Sequence, residues 1–220
     1  YTNREYSRVR EYLGARAPDV LVLTELTATW MSELQPVIAR YPYSFALPRK
    51  TPWGLGVYSR YLLDDLRVMD LGVQGSVNVS ASLRSPAGPV RFLAVHLASP
   101  LSSATTRNRN RQLQALATLL AEPRRERADS RPQVLVGDLN ITPFSPRFRA
   151  FLADTGMVDA RRGRGWQGTW PAAIPPLRIP IDYCLVDAAA RVTEVSRGPF
   201  VGSDHLPLEI KLRFESGAIQ

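Results

Sequence analysis

The stretch 133–140, QVLVGDLN, constrains the fold most. An apolar, β-branched run leads to Gly137, then to Asp138 and, two places on, Asn140. The run has the length and composition of a strand fit for burial, which requires layers of other structure around it. In an extended chain residues i and i+2 face the same side, so Asp138 and Asn140 can converge on one point. Asp-x-Asn is also a common turn former, so that point is either a turn or a reaction centre.

Strand-like runs recur along the chain: 19–26, 55–60, the LRVMDLG run, VNVSASLRS, VRFLAVHL, IDYCLVD, VTEVSR and LPLEIKLRF. Pro86 and Gly88 mark a hairpin between two of them. Helical spacing predicts helices over 4–16, 30–40, 105–121 and 146–155, with Pro18 ending the first. The segments 41–54 and 122–132 read as loops, as does the glycine-containing stretch around Gly163, Gly165 and Gly168. No repeat and no dividing linker is visible, so residues 1–220 are expected to form one domain. Many strands with interspersed helices predict an α/β fold of sheets packed face to face with helices outside. At 220 residues such a domain buries roughly 70% of its unfolded surface.

The net charge is +8, and of 28 basic residues only Lys50 and Lys211 are lysine. A basic surface concentrates polyanions, whether nucleic acid or anionic lipid. The one cysteine, Cys184, sits in an apolar strand and is expected to be a buried, inert thiol. No run reaches the roughly 18 apolar residues of a membrane helix. The chain starts at Tyr1 without methionine, which reads as a processed or excised piece.

Five strands end or begin in residues suited to metal or phosphate chemistry. Glu25 closes the first, His96 closes FLAVH, Asp138 and Asn140 close VLVGDLN, Asp182 opens IDYCLV, and Asp204 and His205 precede LPLEIKL. Both histidines of the chain belong to this set. Each alone has an ordinary reading: a solvated Glu, a capped turn, a hydrogen-bonded core histidine. Together, at strand ends where distant segments meet, they read as a site. Hard oxygen ligands with few imidazoles suit magnesium or manganese. No CxxC or HxxxH pattern supports zinc, and no GxxxxGKS loop or GxSxG elbow is present.

The motifs LVLTEL, AVHLASP, VGDLNITPFSP, IPIDYCLV and GSDHLPL occur in the order found in the endonuclease/exonuclease/phosphatase superfamily, which the chain resembles over nearly its whole length. That group includes pancreatic-type deoxyribonuclease, abasic-site endonucleases, neutral sphingomyelinases and inositol polyphosphate 5-phosphatases. The resemblance implies a DNase I-like, four-layer α/β/β/α sandwich of two mainly antiparallel sheets flanked by helices, with its site at one rim. By motif, Glu25 holds the metal and Asp204 is a second acid near it. Asp138 acts on the attacking water, Asn140 orients the phosphate or that water, and Asp182 hydrogen-bonds His205. His96 matches the deoxyribonuclease and sphingomyelinase branches. Asp138 and His205 both stay open as general base.

The family opens with a strand carrying an Asn ahead of the glutamate. Such a strand is expected to be missing here; Asn3 is the one candidate for that residue within the chain. GTWPAAIPPLRIPIDY, 168–183, resembles a bacterial branch whose domains often follow membrane segments, so a membrane-tethered parent is expected, with the soluble domain acting as a monomer. Arg107 and Arg111 share a helix face, and Arg109, Arg111 and Trp170 are candidate substrate contacts, as Trp166 is for stacking. The function expected is divalent-metal-dependent hydrolysis of phosphate esters, foremost a phosphodiesterase or nuclease. A phospholipid or small-molecule phosphatase of sphingomyelinase type is the alternative. A non-catalytic basic nucleic-acid-binding module on the same fold is the alternative of another class.

Overall fold

The computed structural model describes residues 2–125 and 131–214. The chain runs α1 (Tyr6–Arg16), β1 (Val20–Thr24), α2 (Ala28–Glu33), α3 (Gln35–Ile38), β2 (Tyr43–Leu47), β3 (Leu55–Ser59), β4 (Leu63–Val68), β5 (Val79–Ser85), β6 (Gly88–His96), α4 (Ser103–Arg125), β7 (Gln133–Asp138), α5 (Pro146–Thr155), β8 (Val158–Asp159), β9 (Asp182–Val186), β10 (Ala190–Arg197) and β11 (Leu208–Phe214). A short 3₁₀ turn, Pro175–Leu177, lies before β9.

Alternation along the strands builds the layers, because neighbouring side chains must serve opposite faces. In β6, Leu93 and Val95 enter one core with α4 and α5, while Phe92 and Ala94 enter another. In β9, Tyr183 and Leu185 join the first and Cys184 and Val186 the second. In β1, Val20 and Val22 join that second core, while Leu21 and Leu23 pack against α1, α2 and α3 through Leu13, Trp30, Leu34 and Ile38. Three cores between four layers are the expected α/β/β/α sandwich.

One layer is a six-stranded sheet in the order β4-β5-β6-β7-β9-β8, with β6–β7 its single parallel pair. α4 is the crossover such a pair needs. The facing layer consists of a three-stranded sheet, β1-β3-β2, and a two-stranded one, β10-β11, all antiparallel. β1 packs over β6 and β7 and β11 over β9, so both pieces cover the same face of the large sheet.

The segment 41–54, read from its prolines as a loop, contains β2, because Pro42 and Pro48 bracket the strand instead of interrupting it. The helix expected over 30–40 is two helices, broken at Leu34 with Pro36 in the first turn of the second. The 105–121 helix extends to Arg125, two residues past Pro123, so part of the loop expected over 122–132 is helical; the rest of it lies largely outside the described residues.

Candidate active site

The register of three strands sets the centre. Asp138 ends β7 directly beside His96 at the end of β6 and opposite Asp182 at the start of β9. Gly137 makes this approach possible: at φ 138°, a Cβ there would meet the Val95 carbonyl oxygen at 1.8 Å. The loop between β10 and β11 then brings His205 onto the two aspartates. That loop is fastened to the chain ahead of β9 by Ala172 N–H to the Asp204 carbonyl (2.7 Å) and Leu206 N–H to the Thr169 carbonyl (3.0 Å).

Asp138, Asp182 and His205 offer ligand atoms all within 4.8 Å of one another. His205 Nδ1 lies 2.8 Å from Asp182 Oδ2 and His205 Nε2 lies 3.9 Å from Asp138 Oδ2. Against the cost of burial, the Asp182 charge and hydrogen bond, with Asp138 and Asp204 adding, raise the His205 imidazole from 6.5 to about 9. Burial likewise opposes ionisation of Asp182, but the His205 charge and hydrogen bond win and hold that carboxyl below its ordinary value. Asp138 goes the other way. Burial, then repulsion from Asp182, push its carboxyl well above its ordinary value, against the pull of His205 and of the Asn140 amide.

His96 faces Asp138 from the other side, with Nε2 3.8 Å from Asp138 Oδ2. Its Nδ1 lies 3.2 Å from the Pro52 carbonyl, which can only accept, so Nδ1 carries the proton and Nε2 the lone pair. Burial lowers the affinity of this imidazole for a second proton. Two electron-pair donors, a neutral Nε2 and a carboxylate, thus face one another across a gap that suits a cation or a proton donor. Trp53 flanks the His96 ring at 5.6 Å between centroids.

Asn140 sits at φ 50° and folds back on Asp138. Its backbone N–H donates to Asp138 Oδ1 (2.7 Å), and its Nδ2 donates to Asp138 Oδ2 (3.1 Å) and to the Leu97 carbonyl (2.9 Å). Both amide hydrogens therefore hold the site together, and the side-chain oxygen remains as its ligand-binding atom. Arg109 is buried and its Nη1 donates to the Asn140 carbonyl (2.7 Å), so it secures this turn from behind.

Glu25 follows β1 at φ 56°, an unusual backbone for glutamate that fits a functional turn. Its charge acts on both His96 and Asp138, which puts it on the cluster's side. The turn is clamped by Leu26 N–H to Gly54 O (3.0 Å) and Arg49 N–H to Leu26 O (2.9 Å). Gly54 is required there, since a Cβ would meet Leu26 O at 1.9 Å. Asp204 is exposed and acts on His205 by charge from outside the three-residue cluster.

Asn3 packs against the loop that carries His205: its Nδ2 donates to the Val201 carbonyl (3.2 Å) and its Oδ1 accepts from Glu5 N–H (2.8 Å), which shapes the entry to α1. Arg111 is on the exposed face of α4, bonded to Asn108 Oδ1 at 2.9 Å. Trp170 is 38% exposed and pairs through its backbone with Ile179 ahead of β9. Asn78 was not singled out from the sequence, although it is a polar residue in the apolar setting of VNVSASL. It is fully buried and its Oδ1 accepts the His96 backbone N–H at 3.0 Å.

An acid–imidazole cluster at one rim of a four-layer sandwich defines a class of protein built to handle an anion together with a cation. The chain belongs to the Endonuclease/Exonuclease/phosphatase family, whose sequence model matches residues 2–205. The family is one of divalent-metal-dependent enzymes, and membership makes this chain a phosphoester hydrolase in the general sense. The structure is similar to an endonuclease/exonuclease/phosphatase of Beutenbergia cavernae at 23% identity and TM-score 0.72, covering 96% of this chain and 66% of that one. A 3'-5' exonuclease of Neisseria meningitidis is 21% identical with TM-score 0.74, over 95% of this chain and 94% of the other. A mannosyl-6-phosphatase of Bacteroides thetaiotaomicron is 14% identical with TM-score 0.71, over 96% and 91%. At these identities the likeness is one of fold. No curated protein matches the sequence.

Proposed function

We propose that the chain is a phosphodiester hydrolase that uses a metal-bound water, with magnesium or manganese as the ion. The observation that carries the reading is the placement of His205 between Asp182 and Asp138. The donor set fits such an ion: carboxylate and amide oxygens predominate. An imidazolium has no lone pair to offer, so with His205 protonated the groups that would hold the ion are carboxylates, Glu25 and the peripheral Asp204, which leaves Asp138 free to act on the water. When bound, the ion supplies charge to the phosphate oxygens and acidifies its water.

The chain's own groups divide the remaining work. Asp138, with its raised proton affinity, accepts the proton of the attacking water. His205, kept cationic by Asp182, donates to a phosphate oxygen as charge builds there. His96 stays neutral and accepts at Nε2, orienting water or the ion. Asn140 fixes the Asp138 carboxylate and offers its Oδ1 to the same water. Arg109 steadies the Asn140 turn, and the exposed Arg111 and Trp170 are the side chains assigned to substrate contact.

The proposal includes a further strand between β1 and β11, supplied from outside the described residues. Two observations support it. Both strands are edges of incomplete sheets that cover one face of the large sheet. The VLVLT sequence of β1 is suited to an interior strand yet is mostly half-exposed, an edge that proteins normally protect.

The test is a panel of plasmid DNA, RNA, phospholipid, inositol phosphates and the soluble diester bis(p-nitrophenyl) phosphate, each with magnesium and with EDTA. Metal-dependent cleavage of a diester is expected. Asp138→Asn and His205→Ala are each expected to lower the rate by at least about a hundredfold while melting as the wild type does. Near-normal rates in either variant, or binding of nucleic acid with no turnover of any ester, would overturn the reading.

A further inference from the structure

The loops that carry the cluster share an unusual surface. β6, β7 and β1 end at the site, and β3, β9 and β11 begin there, so the loops 48–54, 97–102, 139–145, 160–181 and 198–207 leave the same rim of the sandwich. Of the ten exposed large apolar residues among those described, seven lie in these loops. Leu101 is 89% exposed, Phe144 65%, Leu177 60%, Trp166 51%, Ile174 47% and Phe200 46%, and Trp170 joins them. Clustering of this kind on one side of a molecule marks an interaction surface.

The charges of the same loops are one-sided. Arg49, Lys50, Arg162 and Arg164 are exposed there against one exposed acid, Asp204, whereas Arg161 is buried on Asp159 and Arg178 is bonded to the Ala172 carbonyl. The rim is therefore apolar at its tips and cationic behind them. Phe144 and Trp166 form an offset stack with ring centroids 5.8 Å apart, and the Trp166 indole N–H is bonded to the Arg178 carbonyl at 2.9 Å. An indole whose polar atom is satisfied and whose ring is exposed suits the boundary between headgroups and hydrocarbon. Single-stranded nucleic acid would use the aromatic faces and the arginines, but not the projecting aliphatic tips of Leu101, Ile174 and Leu177. A bilayer uses all three kinds of group.

We propose that this rim docks on an anionic lipid surface, with the aliphatic and aromatic tips entering the headgroup boundary and the arginines meeting lipid phosphates. Docking in this orientation presents the cluster to the phosphodiesters of the surface. The proposal deepens the hydrolase reading and rests on it for the purpose of the rim.

Co-sedimentation with vesicles tests it, using phosphatidylcholine alone and phosphatidylcholine with a quarter phosphatidylglycerol. The protein is expected to bind the mixed vesicles, to bind neutral ones more weakly, and to lose at least about tenfold in affinity for mixed vesicles in a Leu101→Ser/Leu177→Ser variant. Turnover of soluble bis(p-nitrophenyl) phosphate is expected to be unchanged in that variant, which also shows that it is folded. Absent vesicle binding, equal binding to both vesicles, or binding that the double variant retains would overturn the proposal, as would capture of single-stranded or duplex DNA in place of vesicles. The two readings fail separately. Soluble-diester turnover without vesicle binding removes the docking alone, whereas vesicle binding without any turnover removes the hydrolase.

Discussion

Asn140 shows how a turn and a reaction centre coincide in one side chain. The i, i+2 pattern in QVLVGDLN correctly pointed Asp138 and Asn140 at one place, but the local sequence could not say that Asn140 leaves the strand with φ 50° and closes on Asp138. Its two amide hydrogens are committed to acceptors, so it serves as an acceptor toward any ligand. The residues at the five strand ends were legible because acids and histidines at the ends of apolar runs stand out. Asn78 and the Pro52 carbonyl were not, because one is hidden in a strand-like run and the other is backbone. Arg109 reads in the sequence as a candidate substrate contact; its burial against Asn140 depends on packing between α4 and the 139–145 loop. At this scale the His205–Asp182 pair gives a pH prediction. The folded-state value of about 9 lies above 6.5, so the ion pair stabilises the metal-free fold fully below pH 6.5 and is lost as pH rises through about 9. Asp182→Asn should move the His205 titration, followed by imidazole proton NMR, back toward 6.5 and remove that alkaline loss from the melting curve. A wild-type His205 that titrates near 6.5 would contradict the pairing.

Most elements were readable where side-chain period was strong, as in β6, β7, β9, α4 and α5. β2 was missed because its five residues stand between prolines, and the short β8 because two residues carry no period. What no single segment could reveal is the division of the second sheet into β1-β3-β2 and β10-β11. A strand between β1 and β11 would pair both edges and cover the half-exposed valines of β1. A version of the chain that supplies this strand should therefore melt higher than residues 1–220 alone and protect the backbone amides of Val20–Thr24 from hydrogen exchange. Equal melting and equal exchange would remove the strand from the account.

Across the whole molecule, four layers bring five chain segments to one rim, and the same rim holds the acid–histidine cluster, the exposed apolar tips and a surplus of arginine. The +8 charge was visible from composition, but its meeting with Leu101, Ile174 and Leu177 beside the cluster follows only from the topology. Anion attraction coexists with the acidic centre because Asp138, the carboxylate at its middle, is recessed at 5% exposure. The most direct test is the rate of bis(p-nitrophenyl) phosphate hydrolysis during a manganese titration of EDTA-treated protein, run beside Asp138→Asn. Activity that starts near zero, rises to saturation with the ion and stays flat in the variant is the predicted result. A rate that survives EDTA and ignores manganese would contradict the metal centre at the heart of the mechanism.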